Sequence, residues 1–321
     1  MSDLALDIRH VGKRYDRHVA VQDLSLQVPR GVVYGLLGPN GAGKTTTIRM
    51  ILNIIAPDAG QISVLGRPNG ERHALDRVGY LPEERGLYRK MRVGRVLGFL
   101  AALKGVPGRV ARRRIDEWLE RLSLRTAGED WGRAKVDELS RGMQQKVQFI
   151  AALLLDPELM ILDEPFSGLD PVNAQALKDA VVELSRMGKT ILFSTHLMEV
   201  AERMCDSVCI VSSGKKVLDG AIEEVTRPGD RRHVALSVAG GTGAQAAAVL
   251  GDPTLVLHTD DSGRTMDVEL APGADAQDLL RRLVAAEVPV ERFELVRPSL
   301  HRIFLERVGA TGVEEGVSGH G

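Results

Sequence analysis

Apolar and polar residues alternate from Leu4 to Val11 and again from Val19 to Val28, the period of a half-buried strand. Val32–Leu37 is an apolar, strand-like run. From Thr46 to Ile55 the spacing turns helical, and the helix is expected to close before Pro57. Turn residues at Pro57–Gly60 and Gly66–Pro68 bracket a short strand at Gln61–Leu65, and Val78–Leu81 reads as a strand ending at Pro82. Residues from about Val93 to Leu122 read as helices, broken at Gly105–Gly108. Ser140–Leu155 is a further helix with a serine at its N-cap. Leu159–Leu162 is apolar throughout, as strands buried on both faces of a parallel sheet are. A helix (Pro171–Met187), a strand (Thr190–Ser194), a helix (Leu197–Met204) and a hairpin (Ser207–Val211 with Lys215–Leu218) follow. Strands alternating with helices predict an α/β fold with a mostly parallel sheet.

The pattern changes at Arg227–Asp230, which reads as a linker. Beyond it come strand (His233–Val238), helix (Gly243–Leu250), two strands (Thr254–His258, Thr265–Leu270), helix (Asp275–Ala286) and strand (Val290–Val296), then a last helix at Ser299–Val308. That order predicts a small α+β domain of the split βαβ type. The expected divisions are 1–228, 229–309 and a disordered tail at 310–321, whose glycines and low hydrophobicity supply no core.

Charge and composition narrow the classes. The 321 residues carry a formal net charge of −1, which as a bulk property favours neither nucleic acid nor an acidic membrane surface. The two cysteines, Cys205 and Cys209, lack zinc-site spacing and are expected buried and reduced. The start of the chain lacks the pattern of a signal peptide, and apolar runs such as Phe149–Leu155 are too short to span a bilayer. Any membrane role is expected to come through a partner.

The chemistry centres on Gly38-Pro39-Asn40-Gly41-Ala42-Gly43-Lys44-Thr45-Thr46, a G-x-x-x-x-G-K-[ST] loop between a strand and a helix. Its glycines let backbone N–H groups converge on one anion, and the following helix adds its free N–H groups and positive dipole end. Lys44 supplies charge to β- and γ-phosphates, and the Thr45 hydroxyl is a magnesium ligand in this pattern. Asp163 and Glu164 follow the apolar run, at the carboxyl end of a strand where open α/β sheets bind ligands. Asp163 is read as the magnesium-holding aspartate and Glu164 as general base toward an attacking water.

Leu139-Ser140-Arg141-Gly142-Met143 partly matches the Leu-Ser-Gly-Gly-Gln signature, Arg141 and Met143 departing from it. Ser167-Gly168-Leu169-Asp170 matches a D-loop, Ser194-Thr195-His196 a switch histidine, and Tyr15 precedes the phosphate loop. With these five elements in this order, residues 4 to 225 resemble the ATP-binding-cassette transporter ATPases. The resemblance implies a P-loop cassette with an antiparallel β subdomain and a helical subdomain at about 86–155. It implies that ATP and Mg2+ are bound and ATP hydrolysed. It makes Tyr15 the adenine-stacking ring, His196 a γ-phosphate contact, Asp170 a nucleotide-binding residue of the D-loop, and Ser140 and Gly142 contacts to a nucleotide held by a second chain. Glu83 stands where the family usually has glutamine, and a carboxylate there can still ligate magnesium. Together with the altered signature and the small C-terminal domain, it makes the chain similar to single-cassette subunits of sodium or drug exporters. The implied partners are a membrane permease, gripped at about Gly86–Leu122, and a second nucleotide-binding subunit, identical or a sister chain. No nucleic acid is expected. The implied location is the cytoplasmic face of the membrane, through the permease. A soluble ATPase of the same superfamily with a non-transport role is the alternative, and a P-loop kinase a more distant one.

Overall fold

The structure, a computed structural model, describes residues 3–308 apart from 17, 85, 228–232, 241–242, 261–264, 297 and 306. The tail expected at 310–321 and most of the linker at 227–230 lie outside the described residues. The chain divides into two compact units, the second being Glu223–Glu306.

The first unit opens with two long antiparallel strands, β1 (Leu4–Tyr15) and β2 (His18–Pro29). β1 continues past Val11, where the alternation is expected to end. The pair absorbs the break in period through register shifts between Ile8 and Lys13, with positive φ at His10 and Asp23. β3 (Val33–Leu37) follows, with all five residues buried. α1 (Lys44–Ile51) begins two residues before the expected Thr46, because Gly43 already caps it, and it stops at Leu52. β4 (Ala59–Val64) starts inside the expected turn, where Ala59 pairs with Gly12 of β1. Arg67–Pro68, expected as a turn, forms the two-residue edge strand β5 against β4. The resulting antiparallel sheet has the order β2-β1-β4-β5.

β6 (Val78–Leu81) leads to the helices α2 (Val93–Leu103), α3 (Gly108–Arg121) and α4 (Arg141–Leu153). Then come β7 (Leu159–Asp163), α5 (Pro171–Arg186), β8 (Thr190–Thr195), α6 (Met198–Met204), β9 (Ser207–Ser212), β10 (Lys215–Ala221) and the single turn α7 (Ile222–Val225). The main sheet runs β10-β9-β3-β8-β7-β6, parallel except for the β9–β10 hairpin. Its three central strands are buried on both faces, which accounts for their unbroken apolar runs. The main core joins the inner face of the antiparallel sheet (Leu6, Leu26, Val64), α1 (Ile48, Ile51) and the parallel sheet (Leu36, Ile161, Leu192). Cys205 and Cys209 are free, and burial raises both thiol pKa values.

The second unit holds β11 (His233–Val238), α8 (Ala244–Leu250), β12 (Val256–Asp260), β13 (Met266–Leu270), α9 (Ala276–Ala285) and β14 (Val290–Val296), in sheet order β12-β13-β11-β14. Val234, Leu236 and Val268 pack against Ala246, Leu279 and Leu283 of the two helices. A further helix covers residues 300–305. Arg302 on it reaches Asp267 at 3.0 Å and Glu269 at 2.5 Å, and His233 lies 3.4 Å from Asp267.

Candidate functional site

Strand register brings the candidate residues together. β8 lies between β3 and β7, pairing Leu37 with Thr195 and Asp163 with Ser194. The loop after β3, the acids at the end of β7 and the histidine after β8 therefore emerge side by side at the carboxyl edge of one sheet. The Gly38 N–H donates to the Thr195 carbonyl at 3.3 Å, tying the loop's start to that edge.

Gly43 sits at φ +101, and a Cβ there would stand 2.3 Å from the Ala20 carbonyl oxygen, so the loop turns into α1 through a position open only to glycine. The Lys44 ammonium folds back under the loop. It donates to the carbonyls of Gly38 at 2.7 Å and Pro39 at 3.1 Å, and lies 3.3 Å from Glu164 Oε1. Glu164 is buried and holds φ +47; its other oxygen lies 3.1 Å from His196 Nδ1. One carboxylate thus joins the lysine of the phosphate loop to the histidine after β8.

Asp163 is fastened separately. Its Oδ1 accepts from Ser194 Oγ at 2.6 Å and from Thr45 Oγ1 at 3.3 Å, while Oδ2 is buried without a hydrogen-bond partner. Burial pushes the carboxyl pKa up, and the two hydroxyls offset only part of that. Ser194 also accepts the Glu164 N–H at 3.0 Å. It therefore orients both acids, a role that its sequence position in Phe193-Ser194-Thr195 did not signal. Tyr80, half-buried next to this group, is pushed up to about 12, first by burial and then by the Asp163 charge.

A cavity of about 380 Å³ opens over the loop, lined by Asn40, Gly41, Ala42, Gly43, Lys44, Thr45 and Thr46, with Glu83 and Glu164 on one side and Tyr15 on another. His18 and Ala20 complete the wall beside Tyr15 and were not expected there. Tyr15 is 44% exposed, leaving its ring accessible to a flat ligand.

Ser140, Gly142 and Asp170 do not line this cavity. They meet at another junction. Ser140 caps α4 by accepting the Met143 N–H at 3.3 Å. Asp170 caps α5, accepting the Asn173 N–H at 3.0 Å and its side-chain amide at 2.6 Å. Gly142 faces that amide so closely that a Cβ would lie 2.5 Å from Asn173 Nδ2.

Residues 21–167 match the family described as ABC transporter, and residues 220–308 match one described as the C-terminal domain of ATP-binding protein DrrA1-3-like. An uncharacterized ABC transporter ATP-binding protein of Bacillus subtilis, YhaQ, is 43% identical over 95% of this chain and 99% of its own length. The daunorubicin resistance ATP-binding protein DrrA3 of Streptomyces coeruleorubidus is 34% identical over 96% of this chain and 97% of its own. A solved ATP binding subunit of an ABC transporter superposes with a TM-score of 0.63 at 33% identity, covering 70% of this chain and 92% of that one.

Proposed function

This chain belongs to the ABC transporter family as an ATP-binding, ATP-hydrolysing subunit, and from that premise we propose that it drives export through a separate membrane permease as one half of a two-chain sandwich. The observation that carries the reading is the convergence of Lys44 and His196 on the Glu164 carboxylate, beside the Asp163–Thr45 pair, with Lys44, Thr45 and Glu164 lining one cavity. In this assignment the loop N–H groups and the Lys44 ammonium bind the β- and γ-phosphates. Glu164 takes the proton of the attacking water, and His196 holds its carboxylate in line. Tyr15 stacks on the base.

The oxygen donors Thr45, Asp163 and Glu83 fit magnesium. The unpartnered, buried Asp163 Oδ2 is an acceptor with no proton donor to satisfy it. Among the described residues no cluster of three His, Cys, Asp or Glu forms a cage, which suits an ion that keeps phosphate and water ligands. Magnesium would neutralise charge developing on the phosphates.

Ser140, Gly142 and Asp170 are assigned to the nucleotide held by the second chain: they gather where α4 and α5 begin, apart from the Lys44–Glu164–His196 group. The capped start of α4 offers a hydroxyl, N–H groups and a positive dipole end to a γ-phosphate. We assign residues 1–228 to the cassette and 229–309 to an accessory domain. Among the described residues no helix is long and apolar enough to cross a membrane, so transport requires the permease. A groove of about 200 Å³ lined by Tyr80, Leu87, Leu100, Lys104 and Gln148 is its assigned seat, at the cytoplasmic face, with the buried Gln148 Oε1 left as an acceptor. Export is favoured by the likeness to a drug-resistance protein, because protection against a drug by a transporter requires outward movement.

Glu164→Gln tests this. The variant is expected to bind ATP, hydrolyse it about 10²–10⁴-fold more slowly, and pass from monomer to dimer on size exclusion only with ATP. Adding Ser140→Arg should abolish that dimer. Normal hydrolysis by Glu164→Gln would remove Glu164 from its role, and a chain that turns over ATP yet never dimerises with nucleotide would sink the sandwich.

A further inference from the structure

Charge is distributed unevenly along this chain. Residues 86–125 carry eleven Lys or Arg against three Asp or Glu, although the whole protein has a net charge of −1. Part of this charge follows one strip. Arg92, Arg95, Phe99 and Leu103 recur at steps of three and four and share a face of α2. The opposite face buries Val93, Val96, Leu97 and Ala101 in the protein. Phe99 is 42% and Leu103 67% exposed. The exposed Tyr88 ring meets Phe99 edge-on at 5.6 Å, so the turn before α2 lies along the same strip and adds Arg89 and Lys90. The strip ends with α2: on α3, Arg113 lines a separate groove with Glu117, Asp156 and Lys189.

Arg89, Lys90, Arg92 and Arg95 are exposed and have no ion pair among the described residues. Two of the segment's three acids are already engaged, Asp116 by Arg125 at 2.7 Å and Glu117 by Arg121 at 2.6 Å. The Asp137 N–H donates to the Arg89 carbonyl, placing one acid at that end of the strip.

We propose that this strip is a lipid-contact surface, seated on anionic phospholipid headgroups independently of the nucleotide site. Unpaired cations attract the negative headgroup layer, while exposed Tyr88, Phe99 and Leu103 supply aromatic and aliphatic groups that insert at its boundary. Single-stranded nucleic acid fits less well. It needs open aromatic faces for stacking, whereas the two rings here pack on each other and Leu103 cannot stack. The permease then shares attachment of the subunit with the bilayer.

The test is sedimentation of the purified full-length chain with vesicles of phosphatidylcholine, alone or mixed equally with phosphatidylglycerol. Binding is expected to be at least about tenfold tighter to the anionic vesicles. Raising salt from about 0.1 to about 1 M, which shortens the screening length from about 10 to about 3 Å, should remove most of that preference. The variant Arg89→Glu, Lys90→Glu, Arg92→Glu, Arg95→Glu should lose it at low salt. The same four positions changed to Gln should weaken it by at least about tenfold while melting as the wild type does, which guards against misfolding of the charge-reversed form. Equal binding to both vesicle types, no binding to either, or wild-type binding by a folded Gln variant would each overturn the proposal. So would duplex or single-stranded DNA that binds more tightly than the vesicles and displaces them.

Discussion

The Lys44 ammonium meets the carbonyls of Gly38 and Pro39 and the Glu164 carboxylate, so its charge sits between the loop and the acid. Removing one preorganised charge at a reacting phosphate typically costs about 10²–10³ in turnover. Lys44→Ala should therefore lower ATP turnover by that order while retaining its circular dichroism spectrum, and near wild-type turnover would remove the residue from the mechanism. Gly142 presents a steric question instead. With a Cβ 2.5 Å from an amide that Asp170 holds at both the backbone and the side chain, Gly142→Ala forces Asn173 out of its bonds. A cost of about 1–3 kcal/mol is expected from such overpacking. Thermal unfolding should show it, and Asn173→Ala placed alongside should recover part of the loss.

At the scale of elements, α5 depends on its cap. The Asn173 backbone N–H and then its amide hold the exposed Asp170 carboxyl below the usual carboxylate range. A lowered folded-state pKa means the cap's contribution is present above the unfolded value, near 3.8, and is lost as pH falls through the lower folded value. Asp170→Ala should lower the melting temperature by roughly 2–4 °C at neutral pH. The difference from wild type should vanish on acidification into that window. How far such elements could be read in advance depended on their physics. Central strands announce themselves, as in Leu159–Leu162, because burial on both faces favours an unbroken apolar run. The end of β1 did not, because Gly12 to Tyr15 stays in the sheet through register shifts that erase the alternation. The phosphate loop and the acid pair were legible from local motifs. Ser194 was not, since its contact with both acids exists only through the pairing of β7 with β8. The bulk charge was legible but not its distribution: which of the cations at Arg89–Arg95 share an exposed face with Phe99 and Leu103 follows from how α2 packs.

For the whole molecule, the nucleotide site draws every residue of its own wall from the first unit. A chain ending at residue 227 is accordingly expected to bind an ATP analogue, measured by calorimetry, while differing in dimer stability or regulation. A well-folded truncated protein that binds none would contradict this. In the second unit, Arg302→Met would remove the guanidinium that reaches both Asp267, which keeps His233 at 3.4 Å, and the buried Glu269. Breaking a buried pair of this kind costs about 3–5 kcal/mol. Limited proteolysis should become faster within 223–306, while ATP turnover is retained. The pairing of β3, β8 and β7 has one more consequence. Because the loop start, both acids and His196 are hung from the ends of three fully buried, mutually paired strands, their spacing is set by the most protected part of the protein. Amide hydrogen exchange should therefore be slowest at Leu162 and Phe193 and markedly faster at Gly41, which lines the open cavity and belongs to no strand or helix. The protein would then keep its catalytic ruler frozen while the surface that meets the phosphates breathes, and a substitution that loosened the strands would blur catalysis well before it melted the fold.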